Sequence, residues 1–357
     1  MKRTPPPQNS VDGEALVTTA HGGLEVMQIE RRQTPMPGPG DVRIALRAAA
    51  FNHLDLWVRK GEPAGHWLVP MVPCADGAGV VEAVGAGVDA VAIDDEVVLY
   101  PVRSCGHCGA CRRGDGPLCR AFGMLGESED GCAQRYLNVP AHSLLPKPPS
   151  LDWSAAAALP TTFLTAWHML CTTARVQPGE TVVVHGAGSG VGTAALQVAK
   201  VLGARVIATA RNDADLAAAR GLGADEVLRS DDPLWSKQAR AMCGGEGVDV
   251  VFEHIGGVVF DASVRALRRG GRLVTCGATA GHHVEVDLRK VFFHSIAILG
   301  STMGTLAELE TIVTLAGRGV LKPQIGGVFA LQDGRAAMAA LEARTLSGKV
   351  VLRIDAT

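Results

Sequence analysis

Aromatic residues are scarce in this chain, at 4% of 357 positions with two tyrosines and five tryptophans. Charge of one sign is also missing: 34 Lys and Arg against 36 Asp and Glu leave a formal −2. No net basic field therefore draws the chain to nucleic acid or to an anionic membrane. No window approaches the roughly 18 uninterrupted apolar residues of a membrane helix. Residues 1–13 carry two basic residues and three consecutive prolines but no apolar run, so they read as a loose tail rather than a secretory leader. An even, dispersed set of cysteines is absent as well. There are nine, four of them crowded between positions 105 and 119, which excludes a secreted disulfide framework and indicates a metal site in a reducing compartment. Together these absences predict a cytoplasmic protein that handles a small molecule, with no nucleic-acid or membrane partner.

What is present is a 47% hydrophobic chain with 43 glycines, long enough for two domains, each with a buried core and many turns. From 14 to about 148 the pattern is short β-rich runs cut by turn residues, as at 41–46, 79–84 and 96–100. After an Ala-rich stretch the texture changes. Apolar strand patterns at 181–185, 205–209, 225–228, 249–253 and 272–276 alternate with helical ones at 193–202, 213–222 and 260–269, which specifies βαβ units and a parallel sheet. A last helix and strand, 334–345 and 349–354, return to the first domain.

The apolar run 181–185 leads into Gly186-Ala187-Gly188-Ser189-Gly190-Val191-Gly192 and then a helix. Side-chain-free residues let a backbone approach pyrophosphate, and a helix N-terminus supplies N–H donors and a favourable dipole. The strict G-x-G-x-x-G register is not met, because with Gly192 as the last glycine the first two positions are Ala187 and Ser189. The flanking strand, helix and repeated βαβ units nevertheless make this a dinucleotide site. An acid about 20 residues on would bind the ribose 2′-OH of NAD. The matching position is Ala210, followed by Arg211, so the cofactor reads as NADP(H) over NAD(H), with Arg211 on the 2′-phosphate and Thr209 or Asn212 as hydrogen-bonding neighbours. Asp213 as a ribose acid, with Arg211 a solvated loop charge, is the other reading.

Cys105, Cys108, Cys111 and Cys119 are spaced to bring four thiolates around one tetrahedral ion, and a closed sphere of four cysteines leaves no open coordination position. One structural zinc per chain is expected, with an iron–sulfur cluster or free thiols as the alternatives. His107 falls outside the ligand set because a fourth cysteine is available.

From about residue 14 onward the chain resembles the medium-chain dehydrogenase/reductase superfamily. The resemblance rests on Asn52-His53-Leu54-Asp55, Gly77-Ala78-Gly79-Val80-Val81, the Cys lobe, Thr165-Ala166-Trp167, the Gly-rich turn, Gly223-Ala224-Asp225, Gly270-Gly271-Arg272 and Gly348-Lys349-Val350-Val351-Leu352. It implies an α/β fold: a GroES-like β-rich catalytic domain over 14–158 with the zinc lobe at about 101–120, a Rossmann doubly wound parallel-sheet domain over 159–325, and a return to the catalytic domain over 326–357. The active site is implied to lie in the cleft between them. Cofactor contacts are implied at Thr165, Gly186, Gly188, Ser189, Gly190, Val191, Gly192, Arg211, His254 and Gly277, although a capping role explains His254 equally well. A strand near 292–300 is implied to pair across a two-fold axis, giving a homodimer.

Zinc alcohol dehydrogenases of this superfamily hold a second, catalytic zinc with Cys, His and Cys. The matching positions here are Asn52, Ala75 and Thr161, which are not a competent ligand set. Without a Lewis acid to stabilise an alkoxide, the favoured chemistry is reduction of an activated C=C or a quinone. The resemblance to the zinc-free quinone oxidoreductases and enoyl reductases implies Asn52 as amide donor and Thr161 as a hydroxyl partner. His53 is the first choice of proton donor, a phosphate contact or a surface role explaining it equally, and Asp55 is expected to orient its neighbours. A metal site rebuilt from His53, Asp55, Cys74 or Asp76 is the route to the alternative reading, an alcohol or aldehyde dehydrogenase. A non-redox cofactor-binding protein is the third reading.

Overall fold

The computed structural model describes residues 10–62 and 67–354. The chain divides into two compact units, one of residues up to Thr161 together with those from Leu309 onward, the other Thr162–Glu308.

In the first unit, Asp41–Phe51 is the central strand of a seven-stranded sheet, flanked by Asp76–Val84 and Lys349–Arg353. Its burial is nearly continuous because both faces are covered: Ala48 and Ala50 leave room for the Ala-rich helix Trp153–Ala158 on one, and Ala49 joins the main core on the other. The main core of this unit gathers Leu16, Met27, Ile44, Leu46, Phe51, Val81, Leu99 and Leu352, all essentially inaccessible. Val11–Thr18 pairs with Met27–Thr34 along its whole length, so residues 11–13 are strand rather than tail, and residues 1–9 lie outside the described set. Where a boundary was read at 325, the helix Leu306–Gly317 crosses the division: Ser150 Oγ donates to Gly317 O, anchoring its end to the first unit.

The second unit is a six-stranded, all-parallel sheet built from Thr181–Val184, Arg205–Ala210, Glu226–Arg229, Val248–Glu253, Leu267–Thr275 and Ala297–Gly300. In strand order 3-2-1-4-5-6 it is the doubly wound dinucleotide fold. The first strand, Thr-Val-Val-Val, is buried on both faces, as crossover helices on each side require. The run read as one strand over 292–300 is instead a helix, Leu288–Phe293, followed by the shorter strand Ala297–Gly300. Asp287 accepts from Arg289 N and starts that helix, a local signal stronger than the apolar run that follows it. Among the described residues no helix is long and apolar enough to cross a membrane.

Candidate functional site

In the first unit the helix His53–Lys60 starts where the central strand ends, and Asn52 stands at its N-cap. Asp55 holds this corner. Its Oδ2 accepts from Asn52 N at 2.7 Å and its Oδ1 from Cys74 N at 2.7 Å. Burial pushes the Asp55 carboxyl up to about 6, against the lowering effect of those two N–H groups. His53 lies in the first helical turn with its ring edge-on to Trp57, centroids 5.1 Å apart.

The Asn52 side chain faces a buried charge pair. Asn52 Nδ2 donates to Asp76 Oδ2 at 2.9 Å, while Lys349 Nζ donates to Asn52 Oδ1 at 2.6 Å and to Asp76 Oδ2 at 2.8 Å. Asp76 Oδ1 accepts from Thr161 N at 2.9 Å and from Thr161 Oγ1 at 2.5 Å. Asp76 is 0% exposed and Lys349 4%, whereas Asn52 reaches 9%. Asn52 and Thr161 are thus joined through two residues to which the sequence gives no reaction role, while Asp55 bonds the Asn52 backbone directly. Lys349 was read only as part of the terminal motif and Asp76 only as a conceivable metal ligand. A signal was present: each is a charge at the start of a strand whose next residues are small or apolar, and a buried charge needs a partner.

This network bears on metal binding. At the three positions that match a catalytic zinc set, Ala75 offers no donor atom, and Asn52 and Thr161 are committed to Asp76. Asp55 is taken up by backbone N–H groups, and neither it nor Cys74 belongs to a cluster of three or more converging ligand atoms among the described residues. These residues do not form a ligand set.

The Cys lobe does. The ligand atoms of Cys105, Cys108, Cys111 and Cys119 all lie within 4.8 Å of one another, the one such cluster of His, Cys and carboxylates among the described residues. Sulfur separations of 3.5 Å for Cys108–Cys111 and 3.8 Å for Cys108–Cys119 suit a tetrahedral ion. Backbone N–H groups of Cys105 and Ala121 donate to Cys119 Sγ, and the N–H of Cys111 leads the groups that lower the Cys108 thiol to about 6. His107 turns away, its Nδ1 2.6 Å from Cys105 O.

In the second unit Ser189 caps the helix Gly190–Val201, its side chain accepting from Gly192 N at 2.9 Å. Gly186 has φ +60°, and a Cβ on Gly192 would stand 2.1 Å from Gly186 O, so the turn closes only with glycine at both positions. His254 Nε2 lies 2.9 Å from His185 O with its ring against Gly186, and Gly277 packs on the His254 carbonyl. The turn from Gly186 through Gly188, Ser189, Gly190 and Val191 to Gly192, with His254 and Gly277, is therefore one cluster, and its helix N-terminus fits a pyrophosphate. Thr165 is buried in the same unit, its hydroxyl donating to Met303 Sδ at 3.7 Å.

At the far end of the turn Arg211 is exposed, just past the strand Arg205–Ala210. Two neighbours suggested for it are otherwise engaged. Thr209 is fully buried on His185 Nδ1 at 2.8 Å, and Asn212 caps the helix Asp213–Gly221, bonding both the backbone and the carboxylate of Asp215. That carboxylate lies over Gly188, where a Cβ would meet it at 2.2–2.4 Å.

Two family models match: the alcohol dehydrogenase GroES-like domain over residues 38–149 and the zinc-binding dehydrogenase model over residues 190–318. A zinc-type alcohol dehydrogenase-like protein of Schizosaccharomyces pombe is 30% identical over 341 residues, covering 93% of this chain and 96% of its own. The chain belongs to the medium-chain dehydrogenase/reductase superfamily. As a member it is an oxidoreductase of GroES-like plus Rossmann-type architecture. Other members point in different chemical directions. A crotonyl-CoA carboxylase/reductase of Cereibacter sphaeroides is 30% identical, over 85% of this chain and 78% of its own. A solved structure described as an NAD-dependent alcohol dehydrogenase is 44% identical with a TM-score of 0.93, over 96% of this chain and 100% of its own.

Proposed function

We propose that the protein is an NADPH-dependent reductase of activated C=C bonds or quinones, with a structural zinc in the Cys lobe and no catalytic zinc. One observation carries this reading: the side chains at positions 52 and 161 are held by Asp76 and Lys349, and position 75 is alanine. An amide anchored to a charge pair is a preorganised hydrogen-bond donor, suited to an oxygen that gains negative charge rather than to ionising an alcohol. When bound, the dihydronicotinamide supplies a hydride to an electron-poor carbon.

The residues divide the rest of the work. Asn52 has a second Nδ2 hydrogen to donate to the substrate oxygen, on which the displaced C=C electron pair settles as an enolate. Thr161 lines the same corner, and Asp55 fixes the helix start that presents Asn52 and His53. His53 delivers the proton to the α-carbon, imidazole being able to give one up near neutral pH. Thr165, the turn Gly186–Gly192, His254 and Gly277 bind the cofactor, and Arg211 meets its 2′-phosphate. The four thiols call for a reducing, cytoplasmic setting. The exposed edge strand Ala297–Gly300, beside Phe292 and Phe293, suits a homodimer.

Because the 44% identical structure is that of an alcohol dehydrogenase, alcohol oxidation is the reading to test against. NADPH oxidation is followed with a cyclic enone and a benzoquinone, and NAD(P)⁺ reduction with primary and secondary alcohols, alongside zinc analysis. Expected are one zinc per chain, turnover with enone or quinone, and no loss of rate when chelator is added during assay. Alcohol oxidation that depends on a second zinc overturns the reading. For the cofactor, Arg211→Ala should raise KM for NADPH about tenfold and leave that for NADH nearly unchanged, the loss of one exposed charge-assisted contact. A wild-type KM lower for NADH than for NADPH reverses the preference.

A further inference from the structure

The reading above leaves a buried lysine unexplained. Lys349 opens the strand Lys349–Arg353, with a polar partner for its backbone in Gln324 O, yet its ammonium is 4% exposed and far too costly to bury for a strand start alone. It engages two acceptors, Asn52 Oδ1 and Asp76 Oδ2, which are the atoms that frame the Asn52 carboxamide. Lysine can only donate and a carboxylate can only accept. The two therefore fix which way the amide faces: its oxygen must meet the ammonium and its nitrogen the carboxylate. A reversed amide would set N–H against the ammonium and C=O against Asp76. We propose that Lys349 is a positioning residue of the reaction, its ammonium locking the Asn52 carboxamide in the one orientation that reserves an Nδ2 hydrogen for the substrate oxygen.

Two further effects follow from the same geometry. Donation from an ammonium to Asn52 Oδ1 draws electron density from the amide and strengthens its remaining N–H as a donor. The same bond also removes rotational freedom from the carboxamide, so the donor is in place before the substrate oxygen gains charge. Asp76 has the complementary task. It neutralises Lys349, orients the amide nitrogen, and through Thr161 N and Oγ1 ties the start of the helix Pro160–Trp167 to the same point.

The inference rests on the proposed function for its substrate, so its test has one arm that uses no substrate. Lys349→Met alone strands the Asp76 carboxylate and is expected to fold poorly. The informative variant is Lys349→Met with Asp76→Asn, which removes both charges at similar volume, with Lys349→Arg as the charge-retaining control. In protein labelled at asparagine with 15N, the Asn52 side-chain amide protons, assigned by their loss in Asn52→Asp, should exchange with solvent at least tenfold faster in the double variant than in wild type. NADPH affinity, read by fluorescence, should stay within twofold. With the enone, kcat should fall about a hundredfold with KM little changed, the scale of losing one preorganised donor, and Lys349→Arg should recover part of it. Unchanged amide exchange in a folded double variant overturns the proposal whatever the substrate proves to be. Retention of kcat within threefold overturns it as well and leaves Lys349 a structural ion pair. Wild-type enzyme inactive on every enone and quinone refutes the proposed reaction instead, and the exchange arm still decides the role of Lys349.

Discussion

Asp55 shows how a single side chain is set by opposing forces. Two backbone N–H groups favour its carboxylate, yet burial dominates and raises its pKa from 3.8 to about 6. An acid whose folded pKa is raised contributes stability that is complete below its unfolded pKa and is lost as pH rises through the folded one. The window is therefore about pH 4 to 6, and a shift of about two pH units corresponds to about 3 kcal/mol. Urea unfolding of wild type and Asp55→Asn at pH 4, 5 and 7 should show wild type gaining about that much on the variant as pH falls. A difference that is flat across this range would mean that Asp55 stays ionised. That Asp55 orients a neighbour is legible in the sequence, because its bond to Asn52, three residues back, is local. The sequence could not say that Cys74, in the segment that leads into the strand Asp76–Val84, closes the second bond.

At the scale of the element, the first strand of the parallel sheet leads directly into His185, 0% exposed, with Nδ1 2.8 Å from Thr209 Oγ1 and Nε2 2.9 Å from Ser263 Oγ. Ser263 donates its own proton to Val259 O, so it must accept from His185 Nε2–H, and Nδ1 must accept from Thr209. Burial holds this ring neutral, its pKa lowered to about 3. For a depressed base the sign reverses: stability is complete above the unfolded value of 6.5 and is lost as pH falls toward 3. Nitrogen-15 shifts should report an Nε2–H tautomer for His185 that does not titrate between pH 7 and 4.5. An imidazolium signal in the folded protein within that range would contradict the burial argument. The apolar strand pattern that ends in a histidine was legible in the sequence, but the two hydroxyls come from the second strand and from the helix Phe260–Ala266, so their convergence was not.

At the scale of the whole molecule, the parallel sheet stops at Ala297–Gly300 with one edge unpaired, and Leu288, Phe292 and Phe293 beside it are each more than 60% exposed. An open apolar edge invites pairing with another chain. Light scattering should give twice the mass of 37.2 kDa, and Ile298→Lys, at a 41% exposed position of that strand, should shift the protein toward monomer without unfolding it. A wild-type monomer at micromolar concentration would set the edge strand aside as an interface.

The sequence by itself determined what depends on near neighbours: alternating strands and helices, a glycine turn that only glycine can close, and four cysteines spaced for one ion. These follow from periodicity, backbone freedom and ligand spacing, which act over a few residues. Tertiary structure alone decided what gathers around Asn52. Asn52, Asp76, Thr161 and Lys349 are spread over nearly 300 positions, and only the pairing of the strands Asp41–Phe51, Asp76–Val84 and Lys349–Arg353 brings an ammonium and a carboxylate to the same amide. Local pattern carries no record of such a meeting, because the cost of burying each charge is cancelled by a partner from another part of the chain.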